Sequence, residues 1–431
     1  MTNTSRFTRA AAPAAAAAMA LCAVPSQVHA AGNENYQQFF GQTVCANPGV
    51  TLFLARCLQT VDANGTPADI SQASETSLNP NQTAVAASNS LATARALADQ
   101  TEGRLEGLRD KDKGKPGADA GTIAGFGPWS IFTNLNGDWF DQSRPANVNE
   151  RGFGGHRYSG SLGADYRVGS GTRIGLMASY GEYSLNFDRE IATPAFVTPA
   201  DSGGMKAKTV SVIAYVSGSL SANGWIDAAG GVSWGTNDFR RNAVFQPGSP
   251  AVPVANTTVT TTGFAHGRQW FASIGAGYDI PRGPLSIGPY ARLTYTHSSI
   301  DGYAEQEVGT PSGLAMTVSA QEAESLAGIV GLRASYSIST GWGVIVPQLR
   351  AEYEHEFNDD ARTTITRFVL DPNKLPFSVT NDAPDRNHAN LGASLSFVLP
   401  HGVVAYVDYE GLIGYQNFSR HRVGAGIRAE L

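Results

Sequence analysis

No stretch of about 20 apolar residues runs anywhere in the chain, so it cannot cross a bilayer as a helix. Charge is also sparse. Only 16% of residues are Asp, Glu, Lys or Arg, the formal net charge is -6, and no basic cluster points to nucleic acid. No glycine-rich phosphate loop, zinc spacing or calcium loop is present, so no cofactor is expected. With 3 Cys and 5 Met set against 48 Gly, the composition suits packed β-structure with many small side chains.

What the chain has in quantity is alternation. Leu391, Ala393, Leu395, Phe397 and Leu399 are separated by Gly392, Ser394, Ser396 and Val398. Val330, Leu332, Ala334, Tyr336 and Ile338 repeat the pattern, and so do Val403, Ala405, Val407 and Tyr409. Period two predicts strands with one greasy face. Strand starts fall near 129, 156, 172, 206, 225, 264, 285, 318, 343, 387, 402 and 420.

The connections come in two kinds that alternate. Small turn clusters lie at 168–172, 220–224, 281–284, 339–342 and 399–402, and long polar stretches at 188–205, 240–263, 301–316 and 358–386. A soluble sandwich has no reason to sort its loops by length, whereas a bacterial outer-membrane barrel has short periplasmic turns and long outer loops. The fold class expected is therefore an all-β membrane protein, a 12-stranded antiparallel transmembrane barrel over residues 127–431.

Charge assigns the faces, because a charge on the lipid face costs about 2–4 kcal/mol at the midplane. Arg157, Ser161, Asp165 and Arg167 alternate with Tyr158, Leu162, Ala164, Tyr166 and Val168, and must face the lumen. The same reasoning turns Arg173, Asp227, Asp279, Arg292, Arg333, Arg350, Glu352, Glu354, Asp408, Glu410, Arg422, Arg428 and Glu430 inward. Both signs occur, so an ion-pair network is expected around Arg292, Arg333, Arg350, Glu352, Glu354, Asp408 and Arg422, with Arg292, Arg333 and Arg350 as partners for Glu352, Glu354 and Glu356. Trp129, Trp139, Tyr166, Tyr180, Trp225, Trp234, Trp270, Tyr278, Tyr336, Trp342 and Tyr353 are expected in girdles at the two interfaces.

The amino-terminal part reads differently. Residues 1–30 have the form of a secretory signal: Arg6 and Arg9, an Ala-rich apolar stretch, then Val28-His29-Ala30. Residues 31–79 are expected as a short exported segment in which Cys45 and Cys57 form a disulfide, since a metal site would need more ligands. Residues 80–126 are expected as a helix and linker, with Asn79 able to cap and Pro80 suited to the first turn. Arg95, Asp99, Glu102, Arg104 and Glu106 surround a few apolar residues, so this helix cannot face lipid. It is expected inside the lumen, matching the inward charges.

Catalytic signals are weak. The single G-x-S-x-G is Gly231-Val232-Ser233-Trp234-Gly235, inside a barrel strand rather than at a strand-to-helix elbow. His297 and His355 lie on the apolar phase and read as interface residues rather than a metal pair. The chain is expected not to be an enzyme, and no catalytic, cofactor or metal residues are assigned.

The order of parts, together with Gly288-Pro289-Tyr290-Ala291-Arg292-Leu293, Gly328 to Tyr336, Val346-Pro347-Gln348-Leu349-Arg350 and the strand Gly424 to Leu431, resembles the autotransporter, or type V secretion, translocator domain. The resemblance implies a closing strand read by the barrel-assembly machinery. Here Val423, Ala425, Ile427, Ala429 and Leu431 would carry that signal, ending in Leu where the family usually ends in an aromatic. It further implies periplasmic chaperones, outer-membrane lipid and lipopolysaccharide as partners, and a monomer in the outer membrane of a Gram-negative bacterium. The amino-terminal segment would lie at the cell surface. Where relatives export hundreds of residues, the segment here is short. The function expected is a translocator that carries or anchors its own segment, with a structural or adhesive role, or a small-solute channel, as the alternatives.

Overall fold

The computed structural model describes residues 36, 39–46, 49, 52–58, 77–112, 121–126, 128–143, 151–169, 171–190, 196–246, 256–399 and 403–429. The leader expected at 1–30, most of the linker, and Glu430 and Leu431 lie outside the described residues.

Twelve strands form the barrel: β1 (Trp129–Gln142), β2 (Phe153–Val168), β3 (Thr172–Phe187), β4 (Gly203–Ser219), β5 (Gly224–Phe245), β6 (Thr257–Tyr278), β7 (Leu285–Ile300), β8 (Gln321–Tyr336), β9 (Gly343–Glu356), β10 (Asn387–Val398), β11 (Val403–Ile413) and β12 (Phe418–Ala429). Each pairs antiparallel with its neighbours, and β1 meets β12 from Leu135 opposite Ala425 to Gln142 opposite Phe418, which closes the sheet. Closure satisfies every ladder without an edge in lipid. A short strand, Gly121–Phe126, pairs with the first residues of β1 below that seam.

Alternation along the strands puts the faces where charge required. Leu162, Leu176 and Leu349 are exposed on the lipid side, while Arg157, Asp165, Arg173 and Asp227 are buried inside. Arg167 keeps the inward phase, opposite the buried Arg173, but is exposed because it sits at the short-turn rim. Trp225 departs from expectation. It is buried in the lumen, lying on Gly277 and 6.4 Å from the Tyr290 ring, because its register places it on the inward phase.

Large lumen side chains need room, and glycine on the adjacent strand supplies it. Tyr215 on β4 lies over Gly175, its partner on β3, and Phe132 on β1 lies over Gly163 on β2. A Cβ at either glycine would collide with the ring.

The stretch at 240–263 is a corrected expectation. β5 continues to Phe245 and β6 starts at Thr257, so the hairpin rises well past the rest of the rim. Around it the loops are not plain coil. Tyr303–Ala304, Met316–Val318, Thr363–Phe368 and Phe377–Thr380 form a separate four-stranded sheet at the long-loop mouth.

The amino-terminal elements are a π-helical turn (Phe39–Val44), α1 (Leu52–Leu58) and α2 (Asn81–Asp112). Asn79 caps α2 as the sequence suggested, its Oδ1 accepting from the Asn81 N–H at 3.2 Å. At 1.5 Å per residue, 32 residues span about 48 Å, enough to run the height of the barrel.

Candidate functional site

The lumen is the site, and α2 fills it. Its first turns stand at the long-loop mouth, where Ser88 Oγ accepts from Asn381 at 3.1 Å and from Arg362 at 3.4 Å. Its last turns reach the short-turn end, where Arg333 lies between Glu106 at 2.6 Å and Asp279 at 3.1 Å. The chain therefore descends through the barrel before β1 begins.

Between these ends every level of the helix is tied to the wall. Ser90 Oγ accepts from Gln269 at 2.6 Å and Ser298 at 2.5 Å. Arg95 pairs with Glu354, and with Glu356 at 3.7 Å. Arg292 faces Asp99 at 3.2 Å, Glu102 at 3.9 Å and Glu352 at 3.8 Å. Arg104, buried over the Phe132 ring at 4.0 Å, pairs with Asp165, whose other oxygen accepts from Tyr215. Leu97, Ala98, Leu105 and Leu108 pack with Phe132, Met177, Ile213, Tyr215 and Phe271. A charge removed from water without a partner costs several kcal/mol, so wall and helix charges constrain one another's placement.

Glu352, Glu354 and Glu356 each meet a cation, with partners that differ in part from expectation. Arg292 does serve Glu352, which also accepts from Tyr290 at 2.6 Å. Glu354 and Glu356 instead meet Arg95, Glu354 also lying 3.3 Å from His388, because α2 stands between them and the far wall. Arg350 joins Arg420 and Arg422 around Glu410, with Arg420 at 3.2 Å and Arg422 at 3.0 Å. Asp408 faces inward over Gly424, its partner on β12. Of the terminal strand, Val423 and Ala425 face the lipid side, Ile427 and Ala429 lie in β12, and the Ile427 and Ala429 side chains and Leu431 lie outside the described residues.

A polar crevice runs beside the lower half of α2. Asp99, Glu106, Asn136, Arg350, Asp408 and Arg422 line it.

Over the long-loop mouth sits a feature that sequence reasoning did not find. Tyr36, Phe39, Phe40, Val44, Cys57 and Leu78 share one hydrophobic core with Phe245 and Val259 of the raised hairpin and with Leu314, Met316, Phe368, Phe377 and Val379 of the loops. Phe377 lies edge-on to Tyr36 at 5.0 Å, and Phe368 edge-on to Phe40 at 5.6 Å. Cys45 and Cys57 are disulfide-bonded with their Cα atoms 5.2 Å apart, as the sequence suggested. Arg56 donates to the Ser312 carbonyl at 3.0 Å and to Thr257 at 2.6 Å. Beneath, Arg241 and Glu305 form a buried ion pair at 2.5 Å. Burial pushes the Tyr36 phenol well up; the nearby Arg241 opposes this and Glu305 adds to it.

Residues weighed for chemistry stay apart. Ser233 sits in β5 and shares a hydrogen bond with Ser211 at 2.8 Å. His297 lies opposite Glu324 on β8, and His355 opposite Gly328, so the two flank β8 four residues out of register. Among the described residues no cluster of His, Cys, Asp and Glu could hold a metal ion.

A closed barrel with a lipid-compatible wall and a polar helix bonded along its lumen is the form of an outer-membrane translocator. The family model described as the autotransporter beta-domain matches residues 131–410, and the chain belongs to that family. Such domains are outer-membrane proteins of Gram-negative bacteria. Similar curated proteins are two extracellular serine proteases of Serratia marcescens. One is 24% identical over 307 residues and the other 24% over 301, each match covering 70% of this chain and 26% of the relative. The chain thus spans about a quarter of these relatives' length. Among solved structures, the translocator domain of autotransporter NalP from Neisseria meningitidis is similar at 14% identity and a TM-score of 0.53. That likeness covers 79% of this chain and 98% of that one.

Proposed function

We propose that this autotransporter carries its own short amino-terminal segment to the cell surface and keeps it there as a lid on the barrel. The supporting observation is the shared core: Tyr36 and Phe40 are wholly buried, and much of what buries them belongs to barrel loops. A fully buried side chain of this kind contributes about 1.5–3 kcal/mol, so several together hold the segment in place without a covalent tether. The barrel acts without catalysis. Its product is a stable surface structure made of lid, raised hairpin and loops, suited to a structural or adhesive role. The barrel-assembly machinery reads Val423, Ala425, Ile427, Ala429 and Leu431, periplasmic chaperones deliver the chain, and the barrel works as a monomer.

The crevice beside α2 supports a second reading, in which small polar solutes pass through the lumen.

A protease site inserted within 59–76 tests the lid. After cleavage on intact cells the fragment bearing Cys45 and Cys57 is expected to stay with the barrel until denaturant is added. Its release into the medium under native conditions would overturn the anchoring role.

A further inference from the structure

On the lipid side, the long-loop end of the wall carries an aromatic band that includes Trp139, Tyr158, Trp234, Phe264, Trp270 and Tyr353, all exposed. Cations in this band are confined to one sector. Lys206 and Lys208 on β4, Arg240 on β5 and Arg268 on β6 are exposed on the lipid-facing phase. The other nine strands carry no Lys or Arg on that phase at that end among the described residues. Cations that merely marked the interface would be spread around the whole circumference.

The register shows which are already answered by the protein. Arg240 pairs with Asp201 at 2.7 Å, and Lys206 lies opposite Asp238. Lys208 lies opposite Glu182, but among the described residues neither lysine forms an ion pair with the acid opposite it, and Glu182 accepts from Tyr180 at 2.6 Å. Arg268 lies between Trp234 and Ser299, with no acid opposite on either flanking strand. A guanidinium in an aromatic band, facing lipid, calls for an anion supplied by the membrane. Arg binds phosphate through two parallel hydrogen bonds, and a polar edge at interface depth costs little.

We propose that the β4–β6 sector binds anionic phosphate groups of lipid headgroups, with Arg268 and Lys208 as donors and Trp234 on the strand between theirs. The phosphate contact stands on the wall itself; which leaflet supplies the lipid rests on the reading that the long-loop mouth faces outward. The test therefore uses vesicles with identical leaflets, so an inverted topology would leave the result unchanged. The full chain is assembled in phosphatidylcholine alone, or in phosphatidylcholine containing a bisphosphorylated glucosamine lipid. Its unfolding midpoint is then read from heat-modifiable gel migration.

The wild type is expected to unfold at higher temperature with the bisphosphorylated lipid. K208Q/R268Q should match the wild type in phosphatidylcholine and lose most of that rise, whereas R167Q/R282Q, changed at the opposite rim, should keep it. An equal rise in all three would overturn the proposal. Should the double variant fail to assemble, R268Q alone decides through lipid phosphorus retained after detergent extraction: severalfold less than wild type supports the site, and equal retention sinks it.

Discussion

Two residues carry the tightest requirements. Glu410 lies among Arg350, Arg420 and Arg422, so Glu410→Gln would leave three cations in a low-dielectric wall without their shared anion. Removing one partner of a buried pair costs about 3–5 kcal/mol. A clear fall in the unfolding midpoint is expected, and a smaller fall for Arg420→Gln, because Glu410 keeps two cations. Equal midpoints for wild type and Glu410→Gln would show the cluster to be idle. Tyr36 makes the lid sensitive to pH. Its folded phenol is raised by burial, so the neutral form is the one the lid holds. The stabilisation is full below the unfolded value of about 10 and declines as pH rises beyond it, when only the released segment can ionise. Protease access to residues 39–58 should therefore increase above about pH 10 in wild type, and Tyr36→Phe should shift that onset upward. An unchanged onset would remove Tyr36 as its cause.

At the scale of elements, strands and helix were legible because each faces two different media. Lipid outside and polar lumen inside impose period two on β1–β12, and a helix between charged walls must carry charge, as α2 does with Arg95, Asp99, Glu102 and Arg104. The lid was not legible for the same reason. Above the membrane no lipid face constrains Arg241, Asn242, Thr258 and Thr260, so the raised hairpin reads as polar loop although it is paired throughout. Phe39 and Phe40 lie far in sequence from Phe368 and Phe377, and nothing local signals that the two pairs meet. Trp225 misled because an aromatic near a strand end suits a girdle or a lumen equally, and only register separates the two. Arg95 could not be assigned to Glu354 without knowing which face of α2 turns to β9. One element-scale consequence is measurable. Deleting 81–112 should leave a barrel that assembles and conducts far more current, since the helix occupies the lumen; unchanged single-channel conductance would contradict the plug.

For the whole molecule, the order of parts has one consistent topology. If α2 enters at the long-loop mouth and leaves at the short-turn mouth, β1 starts on the short-turn side and odd strands run toward the long loops. The lid, the four-stranded sheet and the raised hairpin then share one side of the membrane, which is what their common core requires. Cys45 and Cys57 are joined, which leaves an introduced cysteine as the reactive thiol of the barrel and lid. The direct measurement is labelling of intact cells with a membrane-impermeant thiol reagent, using single reporter cysteines at Asn373 in the β9–β10 loop and Asn223 in the β4–β5 turn. Labelling at Asn373 with protection at Asn223 is the expected result; labelling at Asn223 with protection at Asn373 would put the lid in the periplasm and contradict export of the segment.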